Sequence, residues 1–82
     1  MTKLKVWPNP VSQKLNISVK GQSADAYRIE IYNCNGNKVY SRSFTNDRTY
    51  IDFHEVGLVD GTYFIKYLDH NVSVVQKIVV LL

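Results

Sequence analysis

Residues 60–82 constrain the fold more than any other stretch of the chain. They contain two runs rich in β-branched and aromatic residues, separated by the polar segment 69–71, which is a hairpin signal. The first run begins at Asp60-Gly61 and alternates between two strand faces, with Tyr63, Ile65 and Tyr67 on one and Thr62, Phe64, Lys66 and Leu68 on the other. The second run is apolar almost to Leu82, whereas terminal residues are commonly polar and frayed. We therefore predict a β-hairpin whose second strand is either buried or displayed to a partner.

The rest of the chain repeats this alternation in shorter segments. Predicted strands cover residues 4–7, 14–19, 27–32, 38–44 and 49–53, and their inward-facing residues are Leu15, Ile17, Val19, Tyr27, Ile29, Ile31, Ile51 and Phe53. Turn residues recur roughly every eight to twelve positions, which is the spacing of a β-sandwich. No useful segment has the apolar period of a helix. The sequence predicts an all-β, immunoglobulin-like β-sandwich of about seven antiparallel strands with essentially no helix.

The connections between these strands carry local signals of their own. Asn35-Gly36 is the strongest, because both residues tolerate positive φ and therefore favour a hairpin turn. A further turn is predicted over residues 20–23. Residues 54–59 are predicted to be irregular and to direct Leu58 toward the core. The prolines of Pro8-Asn9-Pro10 should end regular pairing there, because proline has no backbone N–H.

Length, charge and cysteine content restrict the class of protein. The 82 residues support one domain. The net charge is +3 and no two basic residues are adjacent, so strand alternation should scatter them over several faces. A nucleic-acid site needs a concentrated basic patch with stacking aromatics, so we predict no nucleic-acid partner.

The cysteine content and the apolar runs exclude two further features. One cysteine excludes an internal disulfide. No run is long enough for a membrane-spanning helix, so we expect no direct membrane insertion. The first residues lack the pattern of a secretory signal peptide, so we expect export to require a longer protein that carries the signal elsewhere.

The residues that could support catalysis do not form a recognisable site. His54 and His70 lie in separate predicted loops and lack the spacing of metal ligands. Cys34 is predicted in a turn, with no neighbouring base or electropositive setting to activate it. The acidic residues are scattered, and the glycines are isolated turn residues rather than a phosphate-binding loop. We predict no cofactor, no metal and no enzymatic activity.

Four motifs, in this order, resemble the C-terminal sorting domain of type IX secretion system cargo proteins (type A, the Por secretion system sorting domain family) of the Bacteroidetes. The first is an aromatic-Pro-Asn-Pro-Val opening, in which Trp7 stands where tyrosine or phenylalanine is more usual. The second is a hairpin in which a Tyr-Asn turn precedes Gly-x-x-Val. The third is a Leu-x-x-Gly-x-Tyr motif, and the fourth is a terminal Lys-aliphatic-Val-Val segment. They occupy Val6–Val11, Ile31–Tyr40, Leu58–Lys66 and Lys77–Val80, so the resemblance covers essentially the whole chain.

The resemblance implies a role in transport. Residues 1–82 would be a single sorting domain, taken from a longer secreted protein. Such a domain directs its cargo from the periplasm across the outer membrane to the cell surface or the medium. The implied partners are outer-membrane type IX translocon components and a surface sortase that cuts just upstream of the domain. The recognition motif would consist of Trp7, Pro8, Asn9, Pro10, Val11, Gly61, Tyr63, Lys77, Val79 and Val80.

Other interpretations remain open from the residues alone. Core packing explains Tyr63, Ile65 and Val79 more readily than direct contact does, whereas Lys77 is the best single candidate for contact. The apolar terminal strand suits addition to a partner's sheet, and its edge also permits a weak dimer beside the monomer. An alternative function is a carbohydrate-binding or adhesion accessory module that stacks sugars on Trp7 with Tyr40 or Tyr50. A structural spacer domain is a further alternative.

Overall fold

The computed structural model describes residues 2–21 and 25–82 of the chain. These residues form seven strands and one helical turn: β1 (Lys3–Trp7), β2 (Lys14–Lys20), β3 (Tyr27–Asn33), β4 (Lys38–Phe44), β5 (Arg48–Asp52), α1 (Phe53–Val56), β6 (Gly61–Leu68) and β7 (Ser73–Val80). The turn predicted over residues 20–23 includes Gln22 and Ser23, which lie outside the described residues.

The strands form two sheets that enclose one core. One sheet has three strands in the order β1-β2-β5, and the other has four in the order β4-β3-β6-β7. All pairings between these strands are antiparallel. The connections from β2 to β3, from β4 to β5 and from β5 to β6 pass between the sheets. The predicted all-β sandwich of seven antiparallel strands is confirmed. None of the described residues belongs to a helix that is long and apolar enough to span a membrane.

Strand alternation places the core residues where the sequence predicts them. The eight residues predicted to face inward on the second, third and fifth segments are all buried, and Leu58 packs against the core while it remains partly exposed. Each fully buried aliphatic or aromatic side chain stabilises the fold by about 1.5–3 kcal/mol relative to exposure. The buried apolar residues are Val6, Val11, Leu15, Ile17, Val19, Tyr27, Ile29, Ile31, Ile51, Phe53, Tyr63, Ile65, Tyr67, Ile78 and Val80.

A single helical turn replaces part of the segment that was predicted to be irregular. Strand β5 ends at Asp52, one residue earlier than predicted, and Phe53 begins α1. The Asp52 carboxylate caps this turn, because it accepts hydrogen bonds from the backbone N–H of His54 (3.0 Å) and Glu55 (3.3 Å). The turn ends at Gly57, which has left-handed φ. Phe53 still faces the core, as the strand prediction required.

The hairpin between β3 and β4 forms as predicted. Residues 34–37 make the loop, and the Asn33 side chain organises it by accepting hydrogen bonds from the N–H of Asn35 and Asn37, each at 3.0 Å. Among the described residues only glycines have positive φ, so Gly36 takes it (86°) and Asn35 does not. Of the two residues that tolerate positive φ, only the glycine uses it here. The side-chain bonds of Asn33 stabilise the loop.

The predicted hairpin at residues 60–82 is confirmed, with β6 and β7 paired from Leu68↔Ser73 to Gly61↔Val80. One carboxylate oxygen of Asp69 accepts hydrogen bonds from the N–H of Asn71 (2.8 Å) and Val72 (2.9 Å), which closes the turn. Because β6 lies between β3 and β7, strand β7 is at the edge of the four-stranded sheet. The candidate site is built on that edge.

Candidate recognition site

The segment that follows β1 crosses from one sheet to the other. Strand β1 ends at Trp7 in the three-stranded sheet, and Val11 then makes a parallel bridge with Val80 of β7. The Val11 N–H donates to the Val79 carbonyl (2.7 Å), and the Leu81 N–H donates to the Val11 carbonyl (2.8 Å). Val11 is fully buried. Residues 8–11 therefore cover the outer edge of β7 along its last residues.

Asn9 supplies the hydrogen bonds that its proline neighbours lack. Its side-chain oxygen accepts from the Val79 N–H (3.0 Å), and its side-chain nitrogen donates to the Lys77 carbonyl (3.4 Å). Pro8 and Pro10 are exposed and have no N–H to donate. Both prolines follow cis peptide bonds. The Pro-Asn-Pro sequence thus lies along the edge of β7 and is hydrogen-bonded to it through one asparagine side chain.

The Leu-x-x-Gly-x-Tyr motif contacts the same end of β7 from the opposite side. Gly61, with φ of 155°, pairs with Val80 at the beginning of β6. An Asp60 carboxylate oxygen accepts a hydrogen bond from the Leu82 N–H (2.7 Å). The Tyr63 ring is buried, and its hydroxyl donates to the Val59 carbonyl (2.7 Å). The last residues of the chain are therefore hydrogen-bonded on both sides.

The hairpin motif lies at this end of the sheet as well. Asn33, the last residue of β3, pairs with Tyr63, which in turn pairs with Ile78. All four sequence motifs therefore meet at one end of the four-stranded sheet. We call this region the motif end, and it consists of residues 8–11, 33–38, 59–63 and 77–82.

Burial separates the predicted recognition residues into two groups. Those that are buried in the core are Val11, Tyr63 and Val80, and Val79 is half-buried. Those that are exposed are Trp7, Pro8, Asn9, Pro10, Gly61 and Lys77. All of them except Trp7 lie at the motif end. The Trp7 side chain projects instead from the outer face of the three-stranded sheet, where the Lys5 ammonium lies 5.5 Å from its ring centroid.

The first half of β7 has an uncovered edge, which sequence reasoning did not identify. The hydrogen bonds of Lys77 and Val79 to the segment 8–11 show that odd-numbered residues of β7 direct their backbone groups away from β6. Because this direction alternates along an antiparallel strand, the N–H and C=O of Val75 also point outward. No hydrogen bond within the described part of the chain occupies the Val75 N–H. We call residues 73–77 the open edge, and the Val75 side chain there is 58% exposed.

One carboxylate is buried on the outer face of the four-stranded sheet. Glu30 accepts a hydrogen bond from the Tyr32 hydroxyl (2.7 Å) and pairs with the Lys38 ammonium (3.1 Å). The Tyr32 hydrogen bond, followed by the hydrogen bond and charge of Lys38, holds the pKa of Glu30 below its ordinary value although burial acts in the opposite direction. Glu30 therefore stays ionised and joins the two strands of the hairpin motif. This is a structural ion pair on an open sheet face.

The residues considered for catalysis lie far apart in sequence and on different elements. Cys34 is exposed in the β3–β4 loop, His54 lies on α1 and His70 lies in the β6–β7 turn. Within residues 2–21 and 25–82, no group of three or more histidine, cysteine or acidic side chains is placed to hold a metal ion. The arrangement offers a folded surface with backbone hydrogen-bonding groups and exposed motif residues, which suits recognition.

Comparisons with known proteins identify a family for the chain and a solved structure of similar fold. The model of the family described as "Secretion system C-terminal sorting domain" matches residues 5–81. No curated protein matched the chain. Among solved structures, the chain is similar in fold to PorZ, an essential surface component of the type IX secretion system of Porphyromonas gingivalis, with a TM-score of 0.75 and 17% identity. The match covers 95% of this chain but only 11% of the PorZ chain.

The family match includes every motif on which the sequence resemblance depended, from Val6–Val11 to Lys77–Val80. Sorting domains of this family act in export across the outer membrane to the cell surface or beyond, and the type IX secretion machinery recognises them. The structure brings the four motifs to one end of a β-sandwich. The chain belongs to the family of secretion system C-terminal sorting domains and is a sorting signal of the type IX system.

Proposed function

We propose that the type IX machinery recognises this domain as a folded shape, through strand addition to the open edge of β7, which adjoins the motif end at Lys77. The incoming strand would belong to an outer-membrane component of the translocon. This proposal rests on a difference between the two halves of the outer edge of β7. Residues 8–11 cover the second half of β7, whereas the first half exposes the backbone groups of Val75 and the N–H of Lys77.

Strand addition needs an edge that is already extended and fixed in register. The bridge between Val11 and Val80, together with the pairing to β6, holds β7 in one register. A partner therefore does not have to order this strand when it binds, which lowers the entropic cost of association. Main-chain hydrogen bonds would supply affinity, and neighbouring side chains would supply selectivity. Lys77 is exposed, lies at the boundary between the open and covered halves, and pairs across the sheet with Phe64, which is itself 37% exposed.

In this proposal the recognition residues have different tasks. Val11, Tyr63, Val79 and Val80 shape the motif end through packing and pairing, and Asn9 fixes residues 8–11 to β7. Pro8, Pro10 and Lys77 are exposed beside the open edge and would contact the partner. Gly61 begins β6 with φ of 155°, a conformation that residues with side chains rarely adopt, although an added Cβ would make only ordinary van der Waals contact with Tyr63. Trp7 lies on another face and has no direct part in strand addition.

The remaining steps follow from the role of a sorting signal. The domain would be the last part of a longer exported protein, would pass through the periplasm in folded form, and would be removed by a surface sortase that cuts upstream of it. It would carry no catalytic activity of its own. The isolated domain would be a monomer or a weak dimer, because the same open edge allows two copies to pair.

A matched pair of substitutions at Val75 tests strand addition. A signal peptide and a fluorescent reporter would precede the chain in a host that has the type IX system. Val75→Pro removes one outward N–H, which proline tolerates at a sheet edge, whereas Val75→Ala removes the exposed side chain and keeps the N–H. We expect the wild type and Val75→Ala to reach the surface or the medium. We expect Val75→Pro to remain in the periplasm with a melting temperature close to that of the wild type.

Two outcomes would contradict the proposal at different levels. Normal export of the folded Val75→Pro variant would exclude strand addition at this position but leave the sorting function intact. Retention of the wild-type fusion would mean that this chain is not sufficient for sorting. Cleavage upstream of the domain would be read separately, from the size of the exported reporter.

A further inference from the structure

The outer face of the three-stranded sheet carries half of the basic residues of the chain. Strand pairing places Lys3 opposite Lys20, and it places Lys5 and Arg48 on either side of Ser18. The sequence predicts that basic residues scatter over several faces. Instead, five of the ten lysines and arginines project from this one face: Lys3, Lys5, Lys14, Lys20 and Arg48. We call it the basic face.

The basic face has little internal charge compensation. Asp52 is the one acidic residue on its three strands, so the face carries a net charge of +4, compared with +3 for the whole chain. The Asp52 carboxylate is already engaged by the N–H of His54 and Glu55 and by the Gln13 amide. Burial opposes its ionisation, but these hydrogen bonds outweigh that effect and lower the pKa of Asp52. No salt bridge within the described residues involves any of the five cations.

Two exposed aromatic rings lie among these cations. Trp7 and Tyr50 both pair with Asn16, one from each side, and their side chains are 39% and 55% exposed. They are separated by two strand spacings, or about 10 Å. A lysine ammonium lies over each ring, Lys5 at 5.5 Å from the Trp7 centroid and Lys14 at 4.7 Å from the Tyr50 centroid. Each exposed ring thus makes a cation–π contact with a lysine of the same face.

Tyr40, which was also considered as a sugar-stacking residue, lies elsewhere. It lines a groove of about 510 Å³ between β4 and β5, to which Tyr50 contributes one side. Trp7 does not line this groove. Of the two predicted pairings, only Trp7 with Tyr50 shares the basic face.

We propose that the basic face binds a linear acidic polysaccharide, at a surface separate from the open edge of β7. The lysine side chain over each ring would move aside, the indole or phenol ring would stack on the C–H face of a sugar, and the displaced ammonium would pair with the carboxylate or sulfate of that sugar. The distance between Trp7 and Tyr50 suits sugars at two positions of a chain rather than a single ring. The positive surface continues along the strands beyond Trp7 and Tyr50, where it consists of Lys3, Lys20 and Arg48. The face is an open sheet rather than a cavity, which also favours a polymer.

The location to which the sorting signal sends its cargo favours glycan over nucleic acid. Domains of this family act in export to the cell surface or beyond. Acidic glycans of the cell envelope are accessible to an exposed protein face there. Cationic sheets with exposed aromatics also bind single-stranded nucleic acid elsewhere, so that polymer is included as a competitor in the test. The proposal does not depend on strand addition at β7, because the two surfaces belong to different sheets.

The single tryptophan makes the test direct, because Trp7 emission reports on the basic face alone. The 82-residue chain would be titrated with dextran sulfate, with unsulfated dextran of equal length and with oligo(dT). Dextran sulfate should bind most tightly, change Trp7 emission and weaken with added salt. The basic-face variant Lys5→Gln/Lys14→Gln/Arg48→Gln should bind about tenfold more weakly, since each exposed charge pair contributes a small factor. Its matched control, Arg28→Gln/Lys66→Gln/Lys77→Gln, loses the same charge from the other sheet and should bind nearly as the wild type does.

Several results would overturn the proposal. Equal losses in the two triple variants would indicate attraction to net charge without a site. Tighter binding of oligo(dT) would make the face a nucleic-acid surface, and equal binding of unsulfated dextran would exclude a role for the cations. If the basic-face variant fails to fold, Tyr50→Ala replaces it, because Tyr50 is mostly exposed. That variant should also weaken binding of dextran sulfate, and unchanged affinity would contradict the stacking role.

Discussion

The two halves of β7 have the same partner on one side and different surroundings on the other. Both pair with β6 in continuous register. The second half is covered by residues 8–11 and contains the buried residues Ile78 and Val80. The first half has no covering segment among the described residues, and Val75 there is mostly exposed. One strand therefore combines a closed edge with an open one.

The covered half of β7 stabilises the fold, whereas the open half exposes backbone groups to a partner. The covered half closes the sandwich, because hydrogen bonds from Asn9 and Val11 join the beginning of the chain to its end. Such long-range contacts connect the two sheets and fix the register of the strand. The open half gains a fixed geometry from them and contributes little core of its own. Substitutions along β7 should therefore affect stability in the covered half far more than in the open half.

The largest expected effect comes from truncating Ile78. It is fully buried in the covered half, so Ile78→Ala should lower the free energy of unfolding by about 2–5 kcal/mol. Its control on the same strand is Val75→Ala, which should change stability by no more than about 0.5 kcal/mol because the side chain is exposed. Urea unfolding followed by circular dichroism would measure both. Similar losses in the two variants would mean that the halves of β7 are not energetically distinct.

The next effect tests the contact between residues 8–11 and β7. Asn9→Ala removes the acceptor for the Val79 N–H and the donor to the Lys77 carbonyl, and each hydrogen bond contributes about 0.5–1.5 kcal/mol. We expect Asn9→Ala to lose about 1–3 kcal/mol on that basis and to speed amide exchange at Val79. Asn9→Asp is the comparison variant, since it retains the acceptor for the Val79 N–H but sets a carboxylate oxygen against the Lys77 carbonyl in place of the donor. Slow exchange at Val79 in Asn9→Ala would show that residues 8–11 stay in place without this side chain.

Sequence patterns predicted the strands well because a period of two is a local property. Ile29 and Ile31 alternate with polar residues, and a buried sheet face leaves that pattern only one orientation. The pattern also predicted that Phe53 faces inward, although Phe53 begins a helical turn. That turn is too short to show a 3.6-residue period. Asp52 as an N-cap and Gly57 just after the turn were the available signals for it.

The edge of β7 and the basic face were less predictable from the sequence, because each depends on strands that are distant in the chain and become neighbours in the fold. The four motifs identify the family, but nothing local in Pro8–Pro10 indicates that Asn9 contacts a strand 70 residues later. The same limit applies to charge. Lys5, Lys14 and Arg48 are far apart in sequence, and only the antiparallel registers of β1, β2 and β5 place them on one face.

A smaller effect is expected at Tyr63, which pairs with Ile78 in the covered half. Tyr63→Phe keeps the buried ring and removes the hydroxyl that donates to the Val59 carbonyl, so about 0.5–1.5 kcal/mol should be lost. Export of a reporter should remain normal, because the ring and the strand pairing are retained. Loss of export in a folded Tyr63→Phe variant would indicate that the hydroxyl takes part in recognition, contrary to a packing role.

The smallest effect concerns Glu30. In the strand register Glu30 lies opposite Lys66 of β6, and Lys66 lies opposite Val75 in the open half of β7. The hydrogen bond from Tyr32, and then Lys38, lowers the pKa of Glu30 in the folded state despite its burial. A carboxylate whose folded pKa is depressed stabilises the protein above its unfolded pKa, about 4.3 for glutamate, and loses this contribution as pH falls through the folded value. The stability difference between wild type and Glu30→Gln should therefore be constant near pH 7 and should shrink in acid. Urea unfolding from pH 7 to pH 3 would measure it. A difference that stays constant over this range would mean that the ionised form of Glu30 does not contribute to the sheet behind the open edge.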